Sequence, residues 1–394
     1  MAAEVPSMRN AFAFIALSSA GIACFAAVDV VYFQTLGYSL AFIGLMAAAF
    51  NIALTAAELP FAVLFDRYSN KRALQIGNAL RIAAFALFFA NLNESSLVLA
   101  QIIAGVATAA MTGTSNAIIV NSLPSRDPDV IAKAYGKITY VSAAAGIVGG
   151  LTGVLIFAVW PQGIWLAAIV FFVAAGIVIA FFRDKITDHH QLPWPKFARK
   201  ALGTVRAPHA WLVVVTNAAA VAPFFLWQVK FNEVSLVFLA IGYLGLNIAN
   251  LVGPMLLRIL KIRVAHLAVV AIINVAATVA FALSDGPVLI WASFVVHVAL
   301  QGMLQVLVAG LFHQGVPDGV RATAVSILSM THSLVVALVA PIVTWVGQTF
   351  GLGWGVSISA VLYLLITAGG LQRRIRQAGK GTNGENDADV DTGQ

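Results

Sequence analysis

The hydropathy of the chain alternates between long apolar stretches and short polar segments along its whole length. Each apolar stretch has about the 20 residues that a helix needs to cross the hydrocarbon core of a bilayer. These stretches occupy residues 10–36, 39–65, 72–90, 97–121, 134–159, 163–182, 210–230, 234–258, 265–283, 287–313, 322–349 and 353–372. Because an unpaired backbone polar group costs several kcal/mol in hydrocarbon, each of the twelve spans is predicted to be helical, and strands are not expected.

Composition excludes a water-soluble globular domain. Hydrophobic residues make up 60% of the chain and charged residues 10%, against roughly 25% charged residues in soluble domains. Residues 1–27 resemble a secretory signal in hydropathy, but the apolar run continues through Asp29, so we interpret it as the first membrane helix. A single cysteine, Cys24, excludes an intrachain disulfide and a thiolate metal site. His189 and His190 lack further spaced ligands, so we expect no metal and no cofactor.

Positive charge is distributed unevenly between the two sides of the predicted spans. The net charge of +7 comes from lysines and arginines that cluster in alternate loops, which indicates membrane topology rather than nucleic-acid binding. With the N-terminus in the cytoplasm nearly all of them lie on the cytoplasmic side, and Lys230 lies outside. The positive-inside rule therefore predicts that both termini are cytoplasmic, and we expect a multi-pass protein of the plasma membrane.

The longest polar interruption divides the spans into two sets of six. It contains six basic residues and three prolines. We predict an N-terminal half at residues 1–182, a cytoplasmic linker at 183–209, a C-terminal half at 210–372 and a disordered cytoplasmic tail at 373–394. The basic loop FDRYSNKR after the second span has a fainter counterpart, GPMLLRILKIR, after the eighth. This pair favours a transporter built from an internal repeat, although cytoplasmic loops tend to be basic in any case.

The most specific motif of the chain lies at residues 58–72. Glu58-Leu59-Pro60, followed by Asp66-Arg67 and Lys71-Arg72, is similar to the loop 2–3 signature of the major facilitator superfamily. The resemblance implies an all-α membrane protein with twelve transmembrane helices in two pseudo-symmetric six-helix halves.

Three further stretches are similar to efflux-type, drug/proton antiporter-like members of that family. They are TGTSNAIIVNSL at 112–123, AGIVGGLTG at 145–153 and VPDGVRATAVSILSM at 316–330. Together with the spans and the central loop, the resemblance extends over nearly the whole chain.

The resemblance also implies a conformational latch. In this family the loop 2–3 aspartate stabilises the outward-open state by pairing with basic residues and with the N-terminus of helix 11, whose dipole favours an anion. The matching residues here are Asp66, Arg67, Lys71, Arg72 and Arg321. The alternative is that these charges only mark the cytoplasmic boundary of the spans.

Three charged residues, Asp29, Glu58 and Arg81, lie deep inside the predicted spans. Glu58 is roughly 10 Å from the end of helix 2, and Arg81 lies at a comparable depth in helix 3. A charge at such depth costs about 2.5 kcal/mol or more unless it is paired or hydrated. Glu58 and Arg81 therefore either form a structural ion pair, or Glu58 acts by itself as a proton site. Asp29, in the outer half of helix 1, is a candidate for proton exchange or for binding a cationic substrate; the alternative is an aspartate hydrated from outside.

Polar and aromatic side chains recur on the helices that line the central cavity in this family. His297, Gln301 and Gln305 repeat every four residues and share one face of helix 10. With Asp29 of helix 1, the predicted cavity residues are Asn116, Asn217, Phe224, Trp227, Gln228, Gln301 and Gln305, and His297 is a further candidate for proton coupling. Each amide could instead serve as packing between helices.

These observations predict a secondary transporter that works by alternating access and exports a small amphipathic molecule in exchange for protons. Its partners are then the substrate, protons and the bilayer, with no nucleic acid, and we expect a monomer. No nucleotide-binding loop occurs, and no catalytic residues stand at a specific spacing, so we expect no enzyme. The alternatives are an importer of a small polar solute, a polytopic membrane enzyme, and a transport-inactive partner protein with the same fold. The last is compatible with Ala62 and Ser69, which replace glycines of the family motif.

Overall fold

The computed structural model describes residues 8–67, 70–111, 127–182, 209–314 and 321–388, and these residues form helices and short connections without a strand. The N-terminal helices are α1 (Met8–Ala26), α2 (Asp29–Thr35), α3 (Leu40–Arg67), α4 (Asn70–Ala90), α5 (Glu94–Met111), α6 (Pro128–Val159) and α7 (Gly163–Ala180). The C-terminal helices are α8 (Ala210–Asn232), α9 (Leu236–Ile259), α10 (Leu267–Leu283), α11 (Pro287–Gln314), α12 (Arg321–Phe350) and α13 (Leu352–Ala388), with a 3₁₀ turn at Val264–His266 before α10.

Twelve helical segments of the described chain are long and apolar enough to cross a membrane. The first consists of α1 and α2 together, and each of the helices α3 to α13 contributes one more. This confirms the predicted all-α membrane fold of twelve spans. The fourth predicted span ends at residue 121, but the structure describes α5 only as far as Met111.

The helices form two six-span halves, α1–α7 and α8–α13. The halves meet along three helix pairs: α3 with α12, α6 with α9, and α2 with α8. Because successive spans are antiparallel, Arg9, Lys71, Arg258 and Arg373 lie at one end of the bundle, which we call the basic end. We call the opposite end, at which α2, α8 and α12 end, the far end.

The first span differs from the prediction because its helix is interrupted at Ala27 and Val28. Val28 has φ −143° and ψ 0°, and its N–H bonds to the carbonyl of Phe25 at 2.9 Å rather than four residues back. The interruption disturbs backbone hydrogen bonding within a membrane span, where it must be restored by a neighbouring group. Asp29, the candidate functional acid, is the first residue of the new helix.

Glycines of the 145–153 stretch allow α6 to approach two other helices closely. A Cβ atom added at Gly149 or Gly153 would overlap the backbone of α1 at Ala20 or Cys24, and one added at Gly150 would overlap the ring of Tyr243 on α9. The Tyr243 hydroxyl donates to the Gly146 carbonyl oxygen at 2.9 Å. Small residues at these positions therefore fix the packing within the N-terminal half and against the C-terminal half.

The C-terminal segment also differs from the prediction. Helix α13 continues to Ala388, whereas disorder was predicted from residue 373. A helix that is already formed by a membrane span extends at low cost, because each added residue gains a hydrogen bond without a new nucleus. The predicted linker at 183–209 lies outside the described residues except for His209.

Candidate functional site

A cavity of about 380 Å³ lies mainly within the N-terminal half, and we call it the Asp29 cavity. Residues of α1–α5 and α7 line it, and Phe225 of α8 contributes from the C-terminal half. Its polar lining consists of Asp29, Asn51, Arg81, Gln101 and Thr108, and its aromatic lining of Phe25, Phe50, Phe85, Phe88, Trp165 and Phe225. Its size falls in the range of small-molecule sites, which are usually apolar with a few oriented polar groups.

The aromatic lining is held in place by ring contacts within the N-terminal half. The Trp165 ring stacks on Phe88 with centroids 4.6 Å apart and on Phe25 with centroids 5.1 Å apart. Trp165 is itself 1% exposed. These contacts fix the apolar walls, so the cavity is suited to a ligand with a flat or apolar body.

Asp29 connects this cavity to the opposite half of the molecule. The Gln228 side-chain amide on α8 donates from Nε2 to Asp29 Oδ1 at 2.9 Å and to the Ala26 carbonyl oxygen at 3.0 Å. Gln228 Oε1 accepts from the Val30 N–H at 3.0 Å. One buried amide thus bonds a backbone carbonyl and an N–H on either side of the α1–α2 interruption while contacting the carboxylate.

Arg81 of α4 is a second charge on the same cavity, and it is buried. It is 7% exposed, its Nη2 donates to Thr108 Oγ1 at 2.7 Å, and its guanidinium lies 5.1 Å from the Phe172 ring centroid. Arg81, Thr108 and Ile22 also border a second cavity of about 250 Å³, which we call the serine cavity. Its remaining lining residues are Phe14, Ile15, Ser18, Ser19, Met111, Ile138 and Ser142.

The hypothesis that Glu58 pairs with Arg81 is wrong for this conformation. Glu58 Oε1 accepts a 3.4 Å hydrogen bond from the Ser329 hydroxyl of α12, and its buried Oε2 has no hydrogen-bond partner. The reason is the arrangement of helices: α4 packs mainly on α5 and α7, whereas α3 packs on α12 and α5. Consecutive helices therefore direct the two charges into different interfaces.

His297 belongs to a buried polar cluster in the C-terminal half. Its Nδ1 lies 2.9 Å from Thr278 Oγ1 and 3.0 Å from Asn274 Oδ1. Because the Thr278 hydroxyl donates to the Asn274 carbonyl oxygen, we assign the proton to Nδ1. Gln301 joins the cluster by accepting from the Tyr363 hydroxyl at 2.6 Å. These side chains are buried and do not line the Asp29 or serine cavity.

The other predicted cavity residues have different surroundings. Trp227 is buried and stacks on Phe294 with centroids 5.7 Å apart. Asn217 and Phe224 are partly buried, and Gln305 is exposed. Asn116 lies outside the described residues.

The predicted latch lies largely outside the described side chains, which exclude Asp66, Arg67 and Arg321. Lys71 donates from Nζ to the Ala180 carbonyl oxygen at 2.7 Å, which ties α4 to the end of α7. Arg72 is exposed. The latch therefore stays a prediction.

Sequence reasoning missed several residues of the Asp29 cavity. Asn51, Gln101 and Thr108 are polar residues inside otherwise apolar spans, and that pattern was available as a signal. Trp165 and Phe225 gave none, because an aromatic residue in a membrane helix does not reveal which way it faces.

The far end carries a depression between the halves, with a volume of about 460 Å³. Gln348 of α12 borders it, and Gln348 Oε1 accepts from the Ala41 N–H at 2.9 Å. Glu233, just beyond α8, borders it as well; partial burial raises the pKa of its carboxyl, while the charge of Lys230 opposes that shift. The halves are thus held together at this end by Gln348 as well as by Gln228.

Solved transporters share this architecture. The nucleoside transporter NupG aligns with a TM-score of 0.74 at 14% identity over 92% of this chain and 98% of its own. A POT family transporter in complex with 5-aminolevulinic acid aligns with a TM-score of 0.73 at 11% identity, covering 92% and 94% of the two chains. A bacterial homologue of the human lysosomal transporter Spinster gives 0.74 at 14% identity, covering 93% and 96%.

Sequence comparison gives the family directly. No curated protein sequence matches the chain, but the sequence model of the Major Facilitator Superfamily matches residues 11–341. A match over most of the length, together with the twelve-span fold of solved transporters, shows that the chain belongs to the Major Facilitator Superfamily and is a secondary membrane transporter.

Proposed function

We propose that the protein exports a small amphipathic molecule across the plasma membrane in exchange for protons, with its basic end in the cytoplasm. The observation that supports this proposal is that Asp29 contacts both the cavity and the other half of the molecule. The carboxylate lines the Asp29 cavity and also accepts a hydrogen bond from Gln228 of the other half. A change in its charge therefore acts on the ligand site and on the contact between the halves together.

The exchange follows from the charge of one carboxylate. Ionised Asp29 is a strong acceptor for the Gln228 amide, so the unloaded protein keeps its far end closed. A proton or the cationic group of a substrate neutralises Asp29 and weakens this contact. Because the carboxylate holds one of the two and not both, a proton that binds from the far end displaces the substrate, and one ligand leaves as the other binds.

The direction of net transport follows from the proton gradient. If the basic end faces the cytoplasm, a proton gradient directed inward favours protonation of Asp29 from the far end and deprotonation from the basic end. Each inward proton is then exchanged for an outward substrate. An amphipathic substrate fits the lining, which combines aromatic walls with few polar groups.

Flux in proteoliposomes tests the proposal with phenethylamine, a cationic aromatic amine, as the probe. We expect a proton gradient to drive its accumulation against a concentration gradient, and its movement to carry protons in the opposite direction. Asp29→Asn should abolish gradient-driven accumulation, since an amide cannot exchange a proton. Asp285→Asn, at an exposed acid between α10 and α11, is the matched control and should transport normally. Coupled accumulation that survives Asp29→Asn would contradict the proposal.

Import of a small polar solute is the second candidate, and it is favoured by the polar groups that line the cavity, Asn51, Arg81 and Gln101. NupG, which shares the fold, is a nucleoside transporter, so uridine is a suitable probe. Uptake of uridine that increases when protons flow in the same direction as uridine would favour import. A protein that moves neither probe in either direction would favour the transport-inactive partner.

A further inference from the structure

Arg81 is a buried cation that has no charged partner among the residues that the structure describes. Its one hydrogen-bond acceptor there is the neutral hydroxyl of Thr108. A guanidinium has five N–H donors in a planar fork that matches a carboxylate. A charge inside a membrane protein that has no oppositely charged partner commonly marks a ligand pathway. The position of Arg81 on two cavities leaves it accessible to an anionic ligand.

Asp29 and Arg81 form two poles of one cavity. Both line it, yet they form no ion pair with each other. Arg81 and Ile22 border both cavities, whereas Asp29 borders only the Asp29 cavity. Asp29 also follows Ile22 by seven residues, beyond the interruption at Ala27 and Val28, so it lies away from the end of the cavity at which Arg81 meets the serine cavity. Phe25, another lining residue, falls between Ile22 and Asp29 along the chain.

We propose that the substrate is an elongated zwitterion with an apolar body, whose amine binds Asp29 and whose carboxylate binds Arg81. This inference rests on the proposed function for the role of Asp29 in exchange. The separation of the poles requires an amine and a carboxylate several bonds apart, as in a dipeptide. An α-amino acid, which carries both charges on one carbon, does not bridge them. The aromatic side chains contact the body of the ligand.

The serine cavity completes the carboxylate subsite. Ser18, Ser19 and Ser142 line it beside Arg81 and Thr108, and the buried Ser18 hydroxyl has no hydrogen-bond partner. Hydroxyl groups donate to the oxygens of a carboxylate that Arg81 has already engaged. They add no charge, so the preference of this subsite for an anion comes from Arg81.

A matched set of four ligands tests the two poles separately. Phe-Gly is the zwitterion, its C-terminal amide keeps only the amine, its N-acetyl derivative keeps only the carboxylate, and the doubly blocked compound keeps neither. We expect the zwitterion to bind purified protein about tenfold or more tightly than each singly blocked compound, because every blocked end removes one charged contact. Calorimetry or ligand-dependent thermal shift in detergent measures this without a gradient.

Two substitutions should change the relative affinities of the four ligands in opposite ways. Arg81→Gln should abolish the preference for Phe-Gly over its amide and leave the preference over the N-acetyl compound. Asp29→Asn should abolish the preference for Phe-Gly over the N-acetyl compound and leave the preference over the amide. Arg81→Lys keeps the charge and should retain part of the preference. Lys230→Gln, at a buried lysine near the far end, is the matched control and should alter neither ratio.

Several results would overturn the inference. These are equal binding of Phe-Gly and its amide to the wild-type protein, an unchanged ratio in Arg81→Gln, or no binding of any of the four compounds. In each case proton-coupled flux of phenethylamine through Asp29 would still support the proposed function. If the protein binds the zwitterion but shows no proton-coupled flux of phenethylamine, the proposed function is contradicted and the inferred ligand class is supported.

Discussion

At the scale of single residues, the chain uses few charges inside the membrane and places each in a distinct setting. Asp29 contacts an amide of the other half, Arg81 contacts a hydroxyl of its own half, and Glu58 contacts Ser329 between the halves. Because a membrane charge is costly without such contacts, each of the three is a candidate for function rather than an incidental surface residue.

The pH dependence of amine binding tests the role of Asp29. A protonated carboxyl does not attract a cation, so phenethylamine affinity should fall as pH decreases, by at most about tenfold per pH unit when one proton competes. Asp29→Asn should bind the amine weakly and show no such dependence. Isothermal titration between acidic and neutral pH measures it, with Asp285→Asn as the control. A profile that is the same in Asp29→Asn and the wild type would assign the titration to another group.

A double-mutant cycle tests the position of Glu58. Its contact with Ser329 predicts that Glu58→Gln and Ser329→Ala are non-additive in the free energy of unfolding, by about 0.5 kcal/mol or more. Glu58→Gln and Arg81→Gln should be additive within about 0.3–0.5 kcal/mol, because the two side chains lie in different interfaces. Unfolding in mixed micelles provides the measurement. Coupling between Glu58 and Arg81 would restore the original hypothesis of a pair.

At the scale of helices, an interrupted helix and a glycine-lined contact shape the site. The break at Ala27 and Val28 turns the backbone at the cavity, and Gln228 satisfies groups on both sides of it. Close packing of α6 against α1 supports the same helix from behind. The position of Asp29 therefore depends on contacts made by several other helices.

Substitutions at two glycines of α6 test this support. Gly153→Ala should destabilise the protein by about 1–3 kcal/mol, since a new methyl overlaps the backbone at Cys24 and overpacking has that cost. Gly146→Ala is the matched control, because a Cβ there meets open space. It should be neutral or slightly stabilising, since alanine favours a helix more than glycine. Equal effects of the two changes on thermal unfolding would show that the α1–α6 contact is unimportant.

At the scale of the whole molecule, the two halves share a fold but differ in their interiors. The N-terminal half contains most of the Asp29 cavity and its two charges. The C-terminal half is filled at its centre by the cluster of Asn274, Thr278, His297, Gln301 and Tyr363. On the proposed function, the ligand therefore binds mainly in the N-terminal half.

The charged loop tests how that movement is controlled. Asp66→Asn should reduce turnover severalfold with little change in thermal stability, because Asp66 is predicted to act at an interface that has two alternative arrangements. Arg258→Gln, at an exposed basic residue of the same end, is the control and should leave turnover unchanged. Full turnover by a stable Asp66→Asn protein would mean that the loop charges only mark the membrane boundary.

The sequence by itself determined the membrane class, the twelve spans and the family. Hydropathy is a local property: a stretch of about 20 apolar residues spans the bilayer whatever its neighbours are, and its backbone must be helical there. The candidate charges were also visible, since a charged residue inside an apolar run is exceptional wherever it lies. Asp29 and Arg81 could therefore be named before any contact was known.

Only the tertiary structure decided which of these residues meet. Arg81 and Glu58 lie at similar depth in consecutive spans, yet the packing of their helices separates them and leaves Arg81 on the cavity of Asp29. His297 and Gln301 lie on one helical face, but that face packs against α8, α10 and α13. The reason is that depth follows from position along one chain segment, whereas the rotation and the partner of each helix depend on contacts between residues far apart in sequence.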